Sequence, residues 1–348
     1  MAEVEKVMTI STDDIEKIMN IATDDIEKLN TLDYPEGTIA WAGTRHLSFG
    51  GDYNTDTINE TYSNNILYKS STSSGNTSSF GDLVYGGKWL SGAGSNISRA
   101  IATGRRTSSV TGTQAMDYVT VGSTGNGTDF GDHTVPRAHG GSMSNGTLLF
   151  TTNGVYSYSP YWYDSQEYVT IASTGDGTDA GDMISNQRKS VGSCPGDSRG
   201  GQVGGYDDDG SPSYYVNEIT YITFHTSNNA SDFGNLHDIM EGSGGMCSQT
   251  RWVMPGGNKY VGGYTYQARM DYVNPASTGN GADFGDENEN AYVFGTMSDG
   301  TRGEIWGGYK ADTAIDSIQY ITIASTGNAS DAGNALVGYP YNAGTSGT

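Results

Sequence analysis

Residues 118–132 read YVTVGSTGNGTDFGD, and the same phrase returns at 168–182 (YVTIASTGDGTDAGD), 221–235 (YITFHTSNNASDFGN), 272–286 (YVNPASTGNGADFGD) and 320–334 (YITIASTGNASDAGN). A degenerate sixth copy occupies 68–82 (YKSSTSSGNTSSFGD). Every copy opens on tyrosine and carries a glycine thirteen places on, at Gly81, Gly131, Gly181, Gly234, Gly285 and Gly333. Steps between successive tyrosines are 50, 50, 53, 51 and 48 residues, so one repeated unit fills the chain from about residue 38 onward.

Within each copy Val119 and Val121, or Ile321 and Ile323, alternate with polar neighbours, the period of a half-buried strand. The Ser-Thr-Gly-Asn-Gly stretch that follows is turn chemistry, because glycine and asparagine accept positive φ cheaply. Phe130 and its counterparts, with alanine at Ala180 and Ala332, begin a second short strand. Pro275 in the fifth copy predicts a strand edge or bulge. Upstream, Gly43-Thr44-Arg45 leads to Gly50-Gly51 and Gly300-Thr301-Arg302 to Gly307-Gly308, adding one strand before the arginine and one ending at the glycine pair.

Four short strands per unit of this length predict a β-propeller blade, and six units predict six blades in an all-β domain over 38–348. The layout resembles the kelch repeat: a hydrophobic strand, a double glycine, a variable loop, a tyrosine strand, then an aromatic. It departs from that family where phenylalanine or alanine stands in place of tryptophan. Gly347-Thr348 is equivalent to Gly43-Thr44, so Gly338 to Thr348 is expected to pair with the first blade and close the ring, removing free strand edges.

Composition agrees. Of 348 residues 51 are glycine, which disfavours helix. The formal net charge is −22, which argues against nucleic acid and anionic membrane surfaces. No apolar run approaches the roughly 20 residues of a membrane span, and no export signal is visible at the start. Cys194 and Cys247 are too few for a disulfide scaffold and fall at equivalent sites in adjacent blades, which predicts free thiols near the central channel over a disulfide.

Residues 1–37 differ. MTISTDDIEKI (8–18) and MNIATDDIEKL (19–29) form a tandem repeat in which Thr12 and Thr23 precede acids, the pattern of a helix N-cap with charges in its first turn. Ile15, Ile18, Ile26 and Leu29 lie at helical spacing, so the segment reads either as a short helical docking arm or as a flexible tail. The repeat and this doubled lead together resemble propeller-bearing virion proteins of tailed phages, notably those of cyanobacteria and other aquatic bacteria. The resemblance implies a non-enzymatic virion protein, such as a tail or neck fibre or a capsid decoration. It would dock on other virion proteins through the arm, act as an oligomer in the particle, and face a host-surface glycan or protein. The alternative is a glycan-active propeller enzyme of sialidase or oxidase type.

No residue constellation points to catalysis. The five histidines sit in no recognisable motif and read as loop histidines. Asp207-Asp208-Asp209 offers hard oxygen ligands for calcium but lacks EF-hand spacing, so a solvated turn competes; Asp129 and Asp132 could hold calcium or cap their own backbone. No cofactor is expected. The loop between the glycine pair and the tyrosine strand varies in length, and its third copy holds Tyr156, Tyr158, Tyr161, Trp162 and Tyr163. Aromatics of that density suit sugar stacking or a protein interface, or pack between blades.

Overall fold

The computed structural model describes residues 43–52, 62–107, 111–156, 163–184, 192–196, 198–207, 214–224, 229–242, 244–260, 263–310 and 313–347. Six four-stranded antiparallel sheets follow one another as the blades of a propeller. Blade two shows the plan, with Gly92–Ser95 innermost, then Arg99–Thr103, Thr113–Thr120 and Thr128–Arg137 outermost. Blades three to six repeat it from innermost strands that begin at Gly141, Gly192, Met246 and Gly295.

Blade one is built from both ends of this domain. Its second to outer strands are Arg45–Phe49, Asn65–Ser70 and Ser78–Asp82, and its innermost strand is the C-terminal Ala343–Gly347, paired antiparallel from Arg45↔Gly347 to Phe49↔Ala343. Closure therefore runs as the equivalence of Gly347 and Gly43 predicts. Pro275 differs from expectation: its strand ends at Val273, so the proline lies in the following turn, where its missing N–H disturbs no ladder.

The repeated phrase is the adhesive between blades. In every blade the third and outer strands slip by one residue at the same place, for instance between Met116 and Asp117 or Met270 and Asp271. The invariant glycine lies there, and Gly131, Gly234 and Gly285 take φ of 144°, 149° and 141°. A β-carbon on Gly131 would fall 2.4 Å from the Gly175 oxygen of the next blade, so the site excludes any side chain.

That close approach lets each Gly-Asn-Gly turn strap the preceding blade. Gly125 and Gly127 donate to the Phe80 and Asp82 carbonyls at 2.9 and 2.7 Å, and Asn126 Oδ1 accepts the Asp82 amide at 3.1 Å. Asp176, Asn229, Asn280, Asn328 and Asn76 accept the equivalent amide of their neighbours at 3.0 Å, all the way round the ring. The arginines form a second strap. Arg99 stacks 4.4 Å from the centroid of Tyr118 and donates to the Ile171 carbonyl of the next blade at 3.0 Å; Arg199 and Arg251 repeat this over Tyr221 and Tyr272.

Apolar residues fill the seams. Ile101 of blade two packs with Leu149 and Val169 of blade three, as Leu47 packs with Ala100 and Val119. Cys194 and Cys247 are buried free thiols on innermost strands of neighbouring blades, in one cluster with Trp252.

Candidate functional site

Two histidines depart from the expectation of loop positions, whereas His139 and His237 lie in connectors and His225 lies outside the described residues. His46 and His133 are strand residues, 0% and 2% exposed, and each meets a glutamate from another blade. His133 Nδ1 contacts Glu167 Oε1, and Glu167 also accepts the Thr134 amide at 2.8 Å. Burial would raise the Glu167 carboxyl, but the hydrogen bond and charge of His133, with the Arg137 guanidinium, bring it down to about 2. Asp117 and Asp271 occupy the same repeat position and accept the backbone amides of Val84 and His237 in the preceding connector at 3.1 and 2.7 Å. Asp117 is further held by Arg105 at 2.8 Å. Such acids, turned toward a neighbouring blade and satisfied by it, hold a seam; a general acid must instead reach a substrate.

The acids of the repeated turn are accounted for in the same way. Asp179, Asp283 and Asp331 accept the amides of Gly181, Gly285 and Gly333 at 3.2, 3.1 and 2.9 Å, so backbone capping explains them without an ion. Among the described residues no group of three metal-ligating side chains assembles. Asp207 lies in a short hairpin strand, Tyr206–Asp207, while Asp208 and Asp209 lie outside the described residues.

Tyrosine marks one end of the propeller. Six of the 24 tyrosines are the strand tyrosines of the repeat. Every other tyrosine among the described residues sits between the second and third strand of a blade, or in the connector to the next innermost strand. An antiparallel meander sends both connections out at the same end. The turns at the opposite end carry neither tyrosine nor tryptophan. The variable connections of blades four, five and six project as two-stranded hairpins, Tyr206–Asp207 with Tyr214–Tyr215, Asn258–Tyr260 with Tyr264–Tyr266, and Tyr309–Lys310 with Thr313–Ala314.

Half-buried Tyr266, Tyr292 and Tyr309 group there, with ring centroids 5.5 and 5.8 Å apart across Tyr292. The Tyr292 hydroxyl bonds to that of Tyr341, whose own hydroxyl burial pushes up to about 12. Of the third-copy aromatics, Tyr156 and Tyr163 are half-buried at this same end, the Tyr156 carbonyl accepting the Gly112 amide at 2.7 Å and the Tyr163 amide donating to the Gly154 carbonyl at 3.1 Å. Tyr158, Tyr161 and Trp162 lie outside the described residues, as do Ile15, Ile18, Ile26 and Leu29.

The tyrosine end surrounds the mouth of the central channel. Just before their innermost strands Trp89, His139, Val293 and Tyr341 adopt φ of 55°, 59°, 54° and 61°, with Gly242 at 68° in the same role. Backbone bonds link these positions from blade to blade: His139 to Trp89 at 2.9 Å, Val293 to Gly242 at 2.7 Å, Tyr341 to Val293 at 2.6 Å. Left-handed backbone costs about 1–2 kcal/mol for such residues, so a collar of four is held against its own preference. The Trp89 ring packs between His139, 4.0 Å away, and the Arg106 guanidinium at 4.1 Å, and Lys88 beside it pairs with Asp52 at 2.8 Å.

The arrangement offers aromatic faces, hydroxyls and a narrow channel, the elements of a binding surface for a polar ligand with apolar faces. Neither a scan against protein-family models nor a search of curated proteins returns a match to this chain.

Proposed function

We propose that the protein is a non-enzymatic binding propeller whose tyrosine end takes up a neutral glycan. A propeller frame hosts many functions, so the reading rests on its residues. What supports it is the segregation of the non-strand tyrosines to one end, while the acids that precede the repeat tyrosine and the repeat arginines hold blades together. The net charge of −22 disfavours anionic glycans. The setting we propose is a virion appendage of a tailed phage, attached to other virion proteins through residues 1–37 and present in several copies. The repeat and its doubled DDIEK lead support that part by resemblance.

A glycan array incubated with the purified chain tests the binding half, with retention on neutral glycans expected and retention on none opposing it. Release of reducing ends during incubation would support a glycan-active enzyme instead. Mass spectrometry of purified particles tests the setting. A chain lacking residues 1–30 is expected to fold and to be missing from particles, and its normal incorporation would remove the arm as the anchor.

A further inference from the structure

The sixfold pattern is broken on three successive blades. Among the described residues only blades four, five and six carry a two-stranded hairpin between their second and third strands, and each of these hairpins holds tyrosine. Two of the hairpins are widened by the connector that leads into their blade. Glu241 and Asn258 exchange backbone bonds of 2.9 Å, and Tyr292 and Tyr309 exchange backbone bonds of 3.2 and 2.9 Å. Asn258 faces Tyr266 across its own hairpin, so Tyr266, Tyr292 and Tyr309 all stand on paired backbone.

Their rings form one arc. Tyr292 meets Tyr266 at 5.5 Å and Tyr309 at 5.8 Å, and its hydroxyl bonds to that of Tyr341. Tyr341 meets Trp89 edge-on at 5.6 Å, and the arc ends there because Trp89 is itself packed between His139 and Arg106. All four tyrosines are half-buried, so each keeps part of its side chain in solvent. On blade four the half-buried Tyr206 and Tyr215 add a second aromatic pair, 5.3 Å apart. The cations nearby are already paired: Lys259 with Asp238 at 3.2 Å, Lys310 with Glu289 at 3.7 Å, and Lys88, beside Trp89, with Asp52. Burial pushes the Tyr292 and Tyr341 hydroxyls up, and the Glu241 carboxylate pushes the same way, so both stay neutral donors. The channel inside the collar, about 110 Å³, is smaller than a hexose, so a sugar chain at this end lies across the mouth and does not thread into it.

We propose that the arc of Tyr266, Tyr292, Tyr309 and Tyr341 is a track for an internal stretch of a neutral glycan chain, with successive sugar units lying on successive rings across blades five and six and Tyr206 and Tyr215 extending it on blade four. The proposal rests on the glycan reading above and adds that affinity resides in several consecutive units, not in a terminal sugar. Apolar C–H faces of the sugars meet the rings, and their hydroxyls meet the tyrosine O–H groups. Rings fixed on paired backbone lose little freedom when the chain binds.

Isothermal titration of the full chain with malto-, cello- and N-acetylchito-oligosaccharides of one, two, four and six units tests it. In at least one series affinity is expected to rise more than about tenfold from one unit to four. Tyr266→Ala and Tyr309→Ala should each weaken hexamer binding about two- to tenfold, the range for one lost aromatic contact, while Tyr266→Phe and Tyr309→Phe keep the ring and stay within about twofold. Saturation-transfer NMR on the bound hexamer needs no variant, and should mark its internal units more strongly than its non-reducing end. Equal affinity for one unit and six, transfer confined to a terminal unit, no binding of any hexamer, or hexamer affinity unchanged in both folded alanine variants would overturn the track. A glycan array that retains no neutral glycan would overturn the wider reading as well. An array that retains neutral glycans, with titration showing one unit bound as tightly as six, would overturn the track and leave the wider reading standing.

Discussion

Replacing Glu304 by glutamine removes the charge on which His46, Lys69 and Arg302 converge, at 2.9, 2.6 and 2.9 Å, with the Trp306 indole N–H at 2.9 Å. Glu304 is 0% exposed and lies in blade six, whereas His46 and Lys69 belong to blade one. The residues that pair with the repeat tyrosine at this position in the other blades are Leu47, Ile101, Phe150, Gly201 and Val253. The ring-closing seam is thus charged where the others are apolar. Burial would raise the Glu304 carboxyl, but the hydrogen bond and charge of His46 and the Lys69 ammonium bring it from 4.5 to about 2. At 1.36 kcal/mol per pH unit that corresponds to about 3 kcal/mol of stability, in line with the 3–5 kcal/mol typical of breaking a buried pair from one side. Because the folded value is depressed, this contribution is present above about pH 4.5 and is lost as pH falls toward 2. Urea or guanidinium unfolding at pH 7 should therefore show Glu304→Gln about 3 kcal/mol less stable than the parent, with the gap narrowing at pH 3. The triple variant Glu304→Leu/His46→Ala/Lys69→Val restores the apolar seam and should be more stable than Glu304→Gln, recovering up to about 2 kcal/mol while the Trp306 N–H stays unpaired. Equal stability of Glu304→Gln and parent at pH 7, or a gap that does not change with pH, would refute the reasoning.

Glu287 stands where three of the other copies carry Leu83, Met183 and Leu236, and burial, only partly offset by the Ala291 and Gly256 amides, pushes its carboxyl well up. With the folded value above the unfolded one, its ionisation favours unfolding as pH rises, so Glu287→Leu should raise the unfolding midpoint more at pH 8 than at pH 5. The Cys194 and Cys247 thiols, both pushed up by burial, should ignore Ellman's reagent in the native protein and titrate as two on denaturation; a native reaction would place them nearer solvent.

The ring was legible because its instructions are local and repeated: Tyr118 through Gly131 encodes a strand, a turn and a bulge within fifteen residues, and Gly347 repeats Gly43. What the turn asparagines and the arginines do was not, since Asn126 and Arg99 act on a neighbouring blade and the sequence shows only their own. The pairings of His46 and His133 are hidden for the same reason. His46 and Glu304 are 258 positions apart and meet only when the ring closes. One trace was present, a glutamate in the sixth copy where others carry Leu47, Ile101 or Phe150, visible on aligning the copies strand by strand. The aromatic loop of the third copy stands out in the sequence as a cluster, but the wider pattern emerges only once the strands are assigned to their two ends.

Two double variants at opposite ends of the propeller, each measured for glycan retention and for unfolding free energy, test the division between binding end and clamped end most directly. Tyr266→Ala/Tyr309→Ala removes two rings from the tyrosine end; Asn126→Ala/Asn280→Ala removes two straps between blades, about 1 kcal/mol each. The account predicts that the tyrosine variant stays folded, at a cost of about 1–3 kcal/mol for its two ring pairs, and loses glycan retention, and that the asparagine variant loses about 2 kcal/mol with its retention intact. Retention that survives the loss of both tyrosines, or that disappears with the asparagines in a chain still folded, would contradict it.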